Sequence, residues 1–207
     1  MGRAGSGARR KILAREWPHA LRSGSMSTSP PIASTIVDSP LGPLTLTASP
    51  AGLRSVGWEG DAVGVVSDDG PRISGSESAA DASPGMLILR ASVTQLDEYF
   101  RGWRTTFDLP LAPCGTPFQR AAWEVLRTIP FGHTMTYGEQ ARRLGGANKA
   151  RAVGAANGRN PLPIIVPCHR VIGADGSLTG FAAGVERKAW LLRHEAALRA
   201  LADRRLR

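Results

Sequence analysis

The pattern of apolar and polar positions changes character twice along the chain. From Thr35 it is strand-like. Thr35-Ile36-Val37 and Leu44-Thr45-Leu46-Thr47 flank the turn residues Ser39-Pro40-Leu41-Gly42-Pro43, which predicts a hairpin, and Leu53 to Trp58 reads as a third strand. Residues 59–85 are rich in Gly, Ser and Asp and read as a long loop. Leu89, Val93, Leu96 and Phe100 then recur at helical spacing. The expected unit is a small α/β N-terminal domain, an antiparallel sheet with one helix.

The second half reads as mainly α. Thr116-Pro117-Phe118-Gln119 is a capping box with Pro at the first helical position, and Phe118, Ala122, Val125, Leu126 and Ile129 would form that helix's buried face. Pro130-Phe131-Gly132 ends it. Thr136-Tyr137-Gly138-Glu139 is a second capping box, opening a short helix that runs through Leu144 and closes at Gly145-Gly146. Asn148 is placed to cap a third helix, running through Lys149, Arg151 and Val153 to about Ala156. Two short helices joined by a Gly-containing turn are the helix-turn-helix pattern, and its second helix would present Lys149 and Arg151 near its N-terminus. Many such pairs never touch DNA. A last helix is expected from about Val185 past Trp190, Leu191 and Glu195.

Charge sharpens this division. Residues 1–25 carry +5, residues 26–115 carry −5 and residues 116–207 carry +9, on a chain of 207 residues with a net charge of +9. A basic C-terminal half suits a polyanionic partner, while a solvated basic surface explains the same count. Residues 1–33 read as a disordered basic tail, with Met26 as a candidate natural start; a basic arm that adds affinity for nucleic acid is the alternative. The domains expected are therefore 34–113 (N-terminal α/β) and 114–207 (C-terminal). No apolar stretch approaches the ~20 residues of a membrane span, and no secretory signal is read, so a cytoplasmic protein is expected. The two cysteines, Cys114 and Cys168, could pair, but a cytosolic setting favours free thiols. No Cys/His cluster has zinc-ligand spacing in the N-terminal half, and no metal or cofactor is expected.

The chemistry concentrates at Pro167-Cys168-His169-Arg170, after the apolar run Ile164-Ile165-Val166, which reads as a buried strand. Pro167 fixes φ before the cysteine. From the residues alone, Cys168 is either a small core side chain or a nucleophile with an imidazole beside it.

Taken together, these segments resemble the O6-alkylguanine-DNA alkyltransferases, also called methylated-DNA–protein-cysteine methyltransferases. The resemblance spans about residues 35 to 197. It is carried by Ile164-Ile165-Val166-Pro167-Cys168-His169-Arg170-Val171-Ile172-Gly173, by Leu178-Thr179-Gly180-Phe181, and by Arg187-Lys188-Ala189-Trp190-Leu191-Leu192-Arg193-His194-Glu195. Thr136-Tyr137-Gly138-Glu139, Arg151-Ala152-Val153-Gly154 and Asn160-Pro161 match upstream. The resemblance implies that Cys168 is the alkyl acceptor, that His169 takes its proton through a bound water, and that Glu195 orients His169. It implies that Asn160 braces the turn and that Arg151 fills the space of the flipped nucleotide. Tyr137 would rotate the target phosphate and donate a proton toward the purine. Val171, Phe181, Ala182 and Ala183 would line the substrate pocket, and Lys149 and Arg170 would join Arg151 and Tyr137 on the DNA.

The implied partner is double-stranded DNA bearing O6-alkylguanine or O4-alkylthymine, met by a monomer, with several copies side by side also open. Such a base must leave the stack before a thiol can reach it. The implied enzyme is a single-turnover (suicide) methyltransferase of DNA repair. Simpler readings stand beside these roles: Tyr137 as a packing aromatic, Arg151 as a plain phosphate contact, Glu195 as an i,i+4 ion-pair partner, Asn160 as a turn residue. Cys114 has no assigned role. Phe181 stands where many members carry Tyr, and Ala182-Ala183 replaces residues that are often Gly or Ser, departures that leave acceptance of bulky adducts such as benzyl open and methyl transfer untouched. The rival classes are a lesion-binding protein without transfer, which Cys168 argues against, and a thiol-sensing regulator, for which no effector domain is evident.

Overall fold

The computed structural model describes residues 32–58 and 83–205. The expectations for Met26, for nearly all of the tail and for most of the 59–85 loop fall outside these residues. The first half forms three strands, β1 (Ala33–Val37), β2 (Leu44–Ser49) and β3 (Gly52–Trp58), in a meander of order β1-β2-β3 with antiparallel pairing. The helix α1 (Pro84–Phe100) packs on this sheet. Ser83 caps it by accepting from Met86 N, and Pro84 stands in its first turn, so residues 84 and 85 belong to the helix and not to the preceding loop. Leu44, Leu46, Leu53, Val56, Met86, Leu89 and Leu96 close the core between sheet and helix.

The second half is helical: α2 (Pro117–Arg127), α3 (Tyr137–Arg143), α4 (Ala150–Asn157) and α5 (Val185–Arg205). Both capping boxes form. Thr116 exchanges hydrogen bonds with Gln119, and Thr136 with Glu139. The buried face of α2 is Ala122, Trp123 and Leu126, with Phe118 and Val125 half-buried and Ile129 buried just beyond its end. Trp123 was not among the expected core positions. Its Nε1 donates to Ala156 O at 2.9 Å, tying α2 to the end of α4. Gly115 lies against the Trp123 ring, where a Cβ would overlap it.

Two local expectations need correction. The run Ile164–Val166 is not a strand. Ile165 N donates to Pro163 O (2.9 Å) around Ile164 at φ +73°, a positive-φ γ-turn. Cys168 N donates to Val166 O (2.8 Å) around Pro167 at φ −81°, ψ 68°, an inverse γ-turn. An apolar run is what such a fully buried turn needs, so the pattern mimics a strand. The cysteine then opens a 3-10 turn, Cys168–Arg170, followed by the short strand β5 (Val171–Ile172). Asn148 does not cap the third helix. A 3-10 turn, Ala147–Lys149, intervenes, and no side chain caps α4.

The short strand β4 (Met135–Thr136) pairs in parallel with β5, Met135 opposite Val171. This pairing sets the start of α3 beside the segment after Cys168. The free edge of β3 is also used: Val56 N donates to Pro161 O at 2.8 Å, so the sheet holds the start of the cysteine turn directly. Among the described residues, no helix is long and apolar enough to cross a membrane.

Replacing Trp123 with Ala removes a fully buried ring and the α2–α4 hydrogen bond. Urea unfolding should report a loss of about 3–5 kcal/mol. Thr116→Ala, which removes only a cap, should cost about 1 kcal/mol.

Candidate functional site

Cys168 is 6% exposed, at the end of the double turn just described. Asn160, 5% exposed, organises that turn. Its Nδ2 donates to Val166 O (2.7 Å) and to Cys168 Sγ (3.1 Å), and its Oδ1 accepts from Leu162 N (3.0 Å). One amide thus shapes the turn and offers a donor to the sulfur. Burial pushes the Cys168 thiol up to about 11, against the opposing pull of the Asn160 hydrogen bond and the Lys188 charge. Roughly one thiol in ten thousand is then ionised at pH 7. The resting sulfur is a thiol, and forming a thiolate requires a base.

His169 supplies a candidate base. Its ring is fully buried, and Nε2 lies 2.9 Å from Glu195 Oε1. Burial of Glu195 would raise its pKa, but the hydrogen bonds and charges of His169 and Arg170 hold its carboxyl well below the usual carboxylate range. An ionised carboxylate only accepts, so Nε2 carries the proton and Nδ1 keeps the lone pair. Nδ1 is buried and has no hydrogen-bond partner among the described residues. Burial pushes the His169 pKa down, more than Glu195 raises it, and Arg170 and Lys188 push it the same way as burial. A neutral imidazole with a free Nδ1 is the form that can accept a proton.

Glu195, on α5, gathers donors from three other segments. Besides His169, Oε1 accepts from Tyr99 Oη (2.8 Å) and Arg170 Nη2 (2.9 Å), and Oε2 accepts from Arg170 Nε (2.9 Å) and Gly132 N (3.0 Å). This corrects the expectation that Arg170 contacts DNA. Arg170 is 6% exposed, its fork is committed to Glu195, and its Nη1 donates to Ile129 O at 2.7 Å. Tyr99 and Arg170 in these roles were missed by the sequence reading, because their partner is 96 and 25 residues away.

Lys188 was missed as well. It is fully buried on α5, and its Nζ donates to Val171 O and Thr179 O, both at 2.6 Å. It clips β5 to the loop that carries Phe181. Its only sequence signal is its position in the Arg187-Lys188-Ala189-Trp190 segment. Tyr137, half-buried at the start of α3, donates from its hydroxyl to the same Thr179 O at 2.8 Å. Burial and the nearby Cys168 raise the Tyr137 pKa. Gly180, at φ +70°, sits against that hydroxyl, where a Cβ would collide with it. The pocket residues expected at this loop divide: Phe181 and Ala183 are each 9% exposed, and Ala182 is exposed. Phe181 meets Trp58 of β3 edge-on, with centroids 6.5 Å apart. The carbonyl of Val171, a residue expected to line the pocket, already accepts from Lys188 and has one further lone pair.

Arg151 is exposed on α4, with no hydrogen bond or ion pair among the described residues. Lys149 is half-buried and its Nζ donates to Leu144 O at 2.8 Å, satisfying a carbonyl at the end of α3. Cys114 is exposed and free, and Arg54 Nη2 lies 2.8 Å from its sulfur. No group of three or more His, Cys, Asp or Glu among the described residues could hold a metal ion.

A helix-turn-helix half whose buried cysteine neighbours a histidine–carboxylate pair, braced by a small α/β half, defines a class of thiol-bearing two-part proteins. The comparisons with known proteins narrow that class. Residues 117–197 match the 6-O-methylguanine DNA methyltransferase, DNA binding domain, and residues 32–113 match the 6-O-methylguanine DNA methyltransferase, ribonuclease-like domain. The chain belongs to this family. A methylated-DNA–protein-cysteine methyltransferase of Shigella flexneri is 49% identical over 163 residues, 77% of this chain and 92% of that protein. One of Methanosarcina acetivorans is 44% identical over 160 residues, covering 77% and 96%. The crystal structure of Mycobacterium tuberculosis OGT in complex with DNA superposes with a TM-score of 0.69 at 40% identity, over 80% of this chain and 94% of that one.

The raised thiol pKa gives a pH test. In a Cys114→Ser background, alkylation of Cys168 by iodoacetamide should be slow at pH 7–9 in the folded protein and climb only toward pH 11. The urea-unfolded protein should react with a midpoint of about 8.5. Coincident profiles would refute the buried, protonated resting thiol.

Proposed function

We propose that the protein is a DNA repair alkyltransferase, a methylated-DNA–[protein]-cysteine S-methyltransferase. It flips O6-alkylguanine, and O4-alkylthymine, out of duplex DNA and moves the alkyl group irreversibly to its own Cys168. The observation that carries this reading is the buried thiol that accepts from Asn160 and is followed directly in the chain by the neutral, Glu195-bound His169, in a chain that matches the family along both halves. Residues 34–113 act as a bracing domain and residues 114–207 as the DNA-binding and acceptor domain. The protein acts as a cytoplasmic monomer, without cofactor.

The step is a displacement at the alkyl carbon. His169 Nδ1 takes the thiol proton through a bridging water, the Cys168 sulfur forms a bond to the alkyl carbon, and the bond from that carbon to the guanine oxygen breaks. Asn160 stabilises the thiolate. As the oxygen leaves, Tyr137, whose burial and nearby Cys168 keep it protonated, donates one proton toward the ring and is reprotonated by the proton His169 took, so that guanine gains one net proton and the thiol loses one. The thioether is stable and nothing in the site reverses it, so each molecule reacts once.

DNA engagement follows from charge and exposure. Residues 116–207 carry fifteen Lys/Arg against six Asp/Glu, and Arg151 projects from the second helix of the helix-turn-helix. Phosphate contacts set an affinity that falls with salt and carries little sequence information. Arg151 fills the place of the flipped base. With Phe181 and Ala183 closing the pocket wall, methyl is preferred over bulky adducts.

Two variants test this reading. Cys168→Ala should bind duplex DNA within about twofold of the parent and transfer nothing in a quenched labelled-methyl assay, since phosphate contacts set the affinity. Transfer by that variant would sink the mechanism. Arg151→Ala should slow repair of duplex at least about tenfold and repair of the free base far less, because only the duplex carries the flipping cost of a few kcal/mol. Equal losses on the two substrates would refute the role of Arg151.

A further inference from the structure

Tyr99 reaches the site from the other half of the molecule. It lies at the C-terminal end of α1, is fully buried, and is held by its surroundings independently of its hydroxyl. Its ring packs against Phe100, Phe107, Phe131 and His194 with centroids 5.4–6.0 Å away, and its backbone carbonyl pairs with His194 Nε2 at 3.1 Å. That packing aims the hydroxyl at Glu195 Oε1, the same oxygen that faces His169.

We propose that Tyr99 is a positioning residue for alkyl transfer, whose hydroxyl both fixes the Glu195 carboxylate and limits how strongly that carboxylate holds a second proton on His169. This rests on the transfer reading above and deepens it. Oε1 is shared among three donors: Tyr99 Oη, Arg170 Nη2 and His169 Nε2. Each donor withdraws electron density from the oxygen and weakens its pull on the imidazole. The groups facing the pair from every side are consistent with this. From the 3-10 turn comes Arg170, from the loop after α2 comes Gly132 N, from α5 come Lys188 and, against the Tyr99 ring, His194, and from α1 comes Tyr99. Tyr99 remains a donor over the working pH range, since burial and the Glu195 charge raise its pKa well above 10. A base that stays neutral near neutral pH is what Cys168 needs, because its thiol releases a proton reluctantly.

The test is Tyr99→Phe, which keeps the packed ring and removes only the hydroxyl. Single-turnover methyl transfer is measured against pH beside the parent protein, with duplex affinity followed by anisotropy. The sign is fixed by the chemistry. With one donor gone, Glu195 becomes more basic, the His169 imidazolium is favoured, and the pKa of His169 rises. The acid limb of the rate profile should therefore move to higher pH, and the rate at a fixed pH on that limb should fall roughly tenfold, the size of one hydrogen bond to a charged group. Duplex affinity should not change. An unmoved acid limb in Tyr99→Phe, whether or not the rate falls, would overturn the proposal, because a purely structural role lowers the rate without moving the limb. If the parent protein itself is not alkylated at Cys168, the transfer reading fails, and that result is separate from any effect at Tyr99.

Discussion

A carboxylate with no exposure to water sits at the centre of this molecule, and most of the long-range order follows from satisfying it. Glu195 loses hydration when α5 packs, and an ionised group in that position is tolerated only with a full set of donors. Those donors come from α1, from the loop after α2, and from the 3-10 turn that begins with Cys168. Meeting this one requirement fixes the orientation of His169, fixes Arg170 as an internal strut, and locks the α/β half against the helical half. Removing a single donor leaves a buried charge short of a partner, which is costly in a way that losing a surface ion pair is not.

The cysteine turn is held with similar redundancy. Ile164 adopts a left-handed conformation that a β-branched residue rarely takes, at a cost of about 1–3 kcal/mol. Complete burial of Leu162 and Ile164, the Asn160 amide on one side and the Val56–Pro161 hydrogen bond on the other keep it there. The result is a sulfur in a fixed direction beside a fixed amide. Burial also keeps that sulfur protonated until a base acts on it, which limits its reaction with ordinary electrophiles and oxidants. A protein that uses its nucleophile once gains from such protection.

What was legible in the sequence was what is local. Both capping boxes formed as read, because a cap is a contact between residues three apart. The strands, α1 and the helical second half followed from periodicity, and the adjacency of Cys168 and His169 is visible in the chain itself. The errors have two causes, a pattern that fits two structures and partners far away in the chain. Ile164–Val166 looked like a strand because a buried turn and a buried strand require the same apolar residues. Arg170 looked like a DNA contact because an arginine in a basic half has no visible partner until α5 folds back 25 residues later. Tyr99, Lys188 and Trp123 were read as part of a pattern or not at all, since each acts through a partner 96, 17 or 33 residues away. Of the candidate site, Cys168, His169, Glu195 and Asn160 come together in space, Tyr137 lies across the Lys188 clip from them, and Arg151 stands apart on the exposed helix.

The central claim is that this buried thiol becomes a thioether once and only once. The direct measurement is the intact mass of the protein after mixing with a short duplex bearing a single O6-methylguanine. The account predicts a gain of one methylene per molecule, located at Cys168 by peptide mapping and stopping at one equivalent however much DNA is added. An unchanged mass with the duplex bound would contradict it and move the protein to the lesion-binding class.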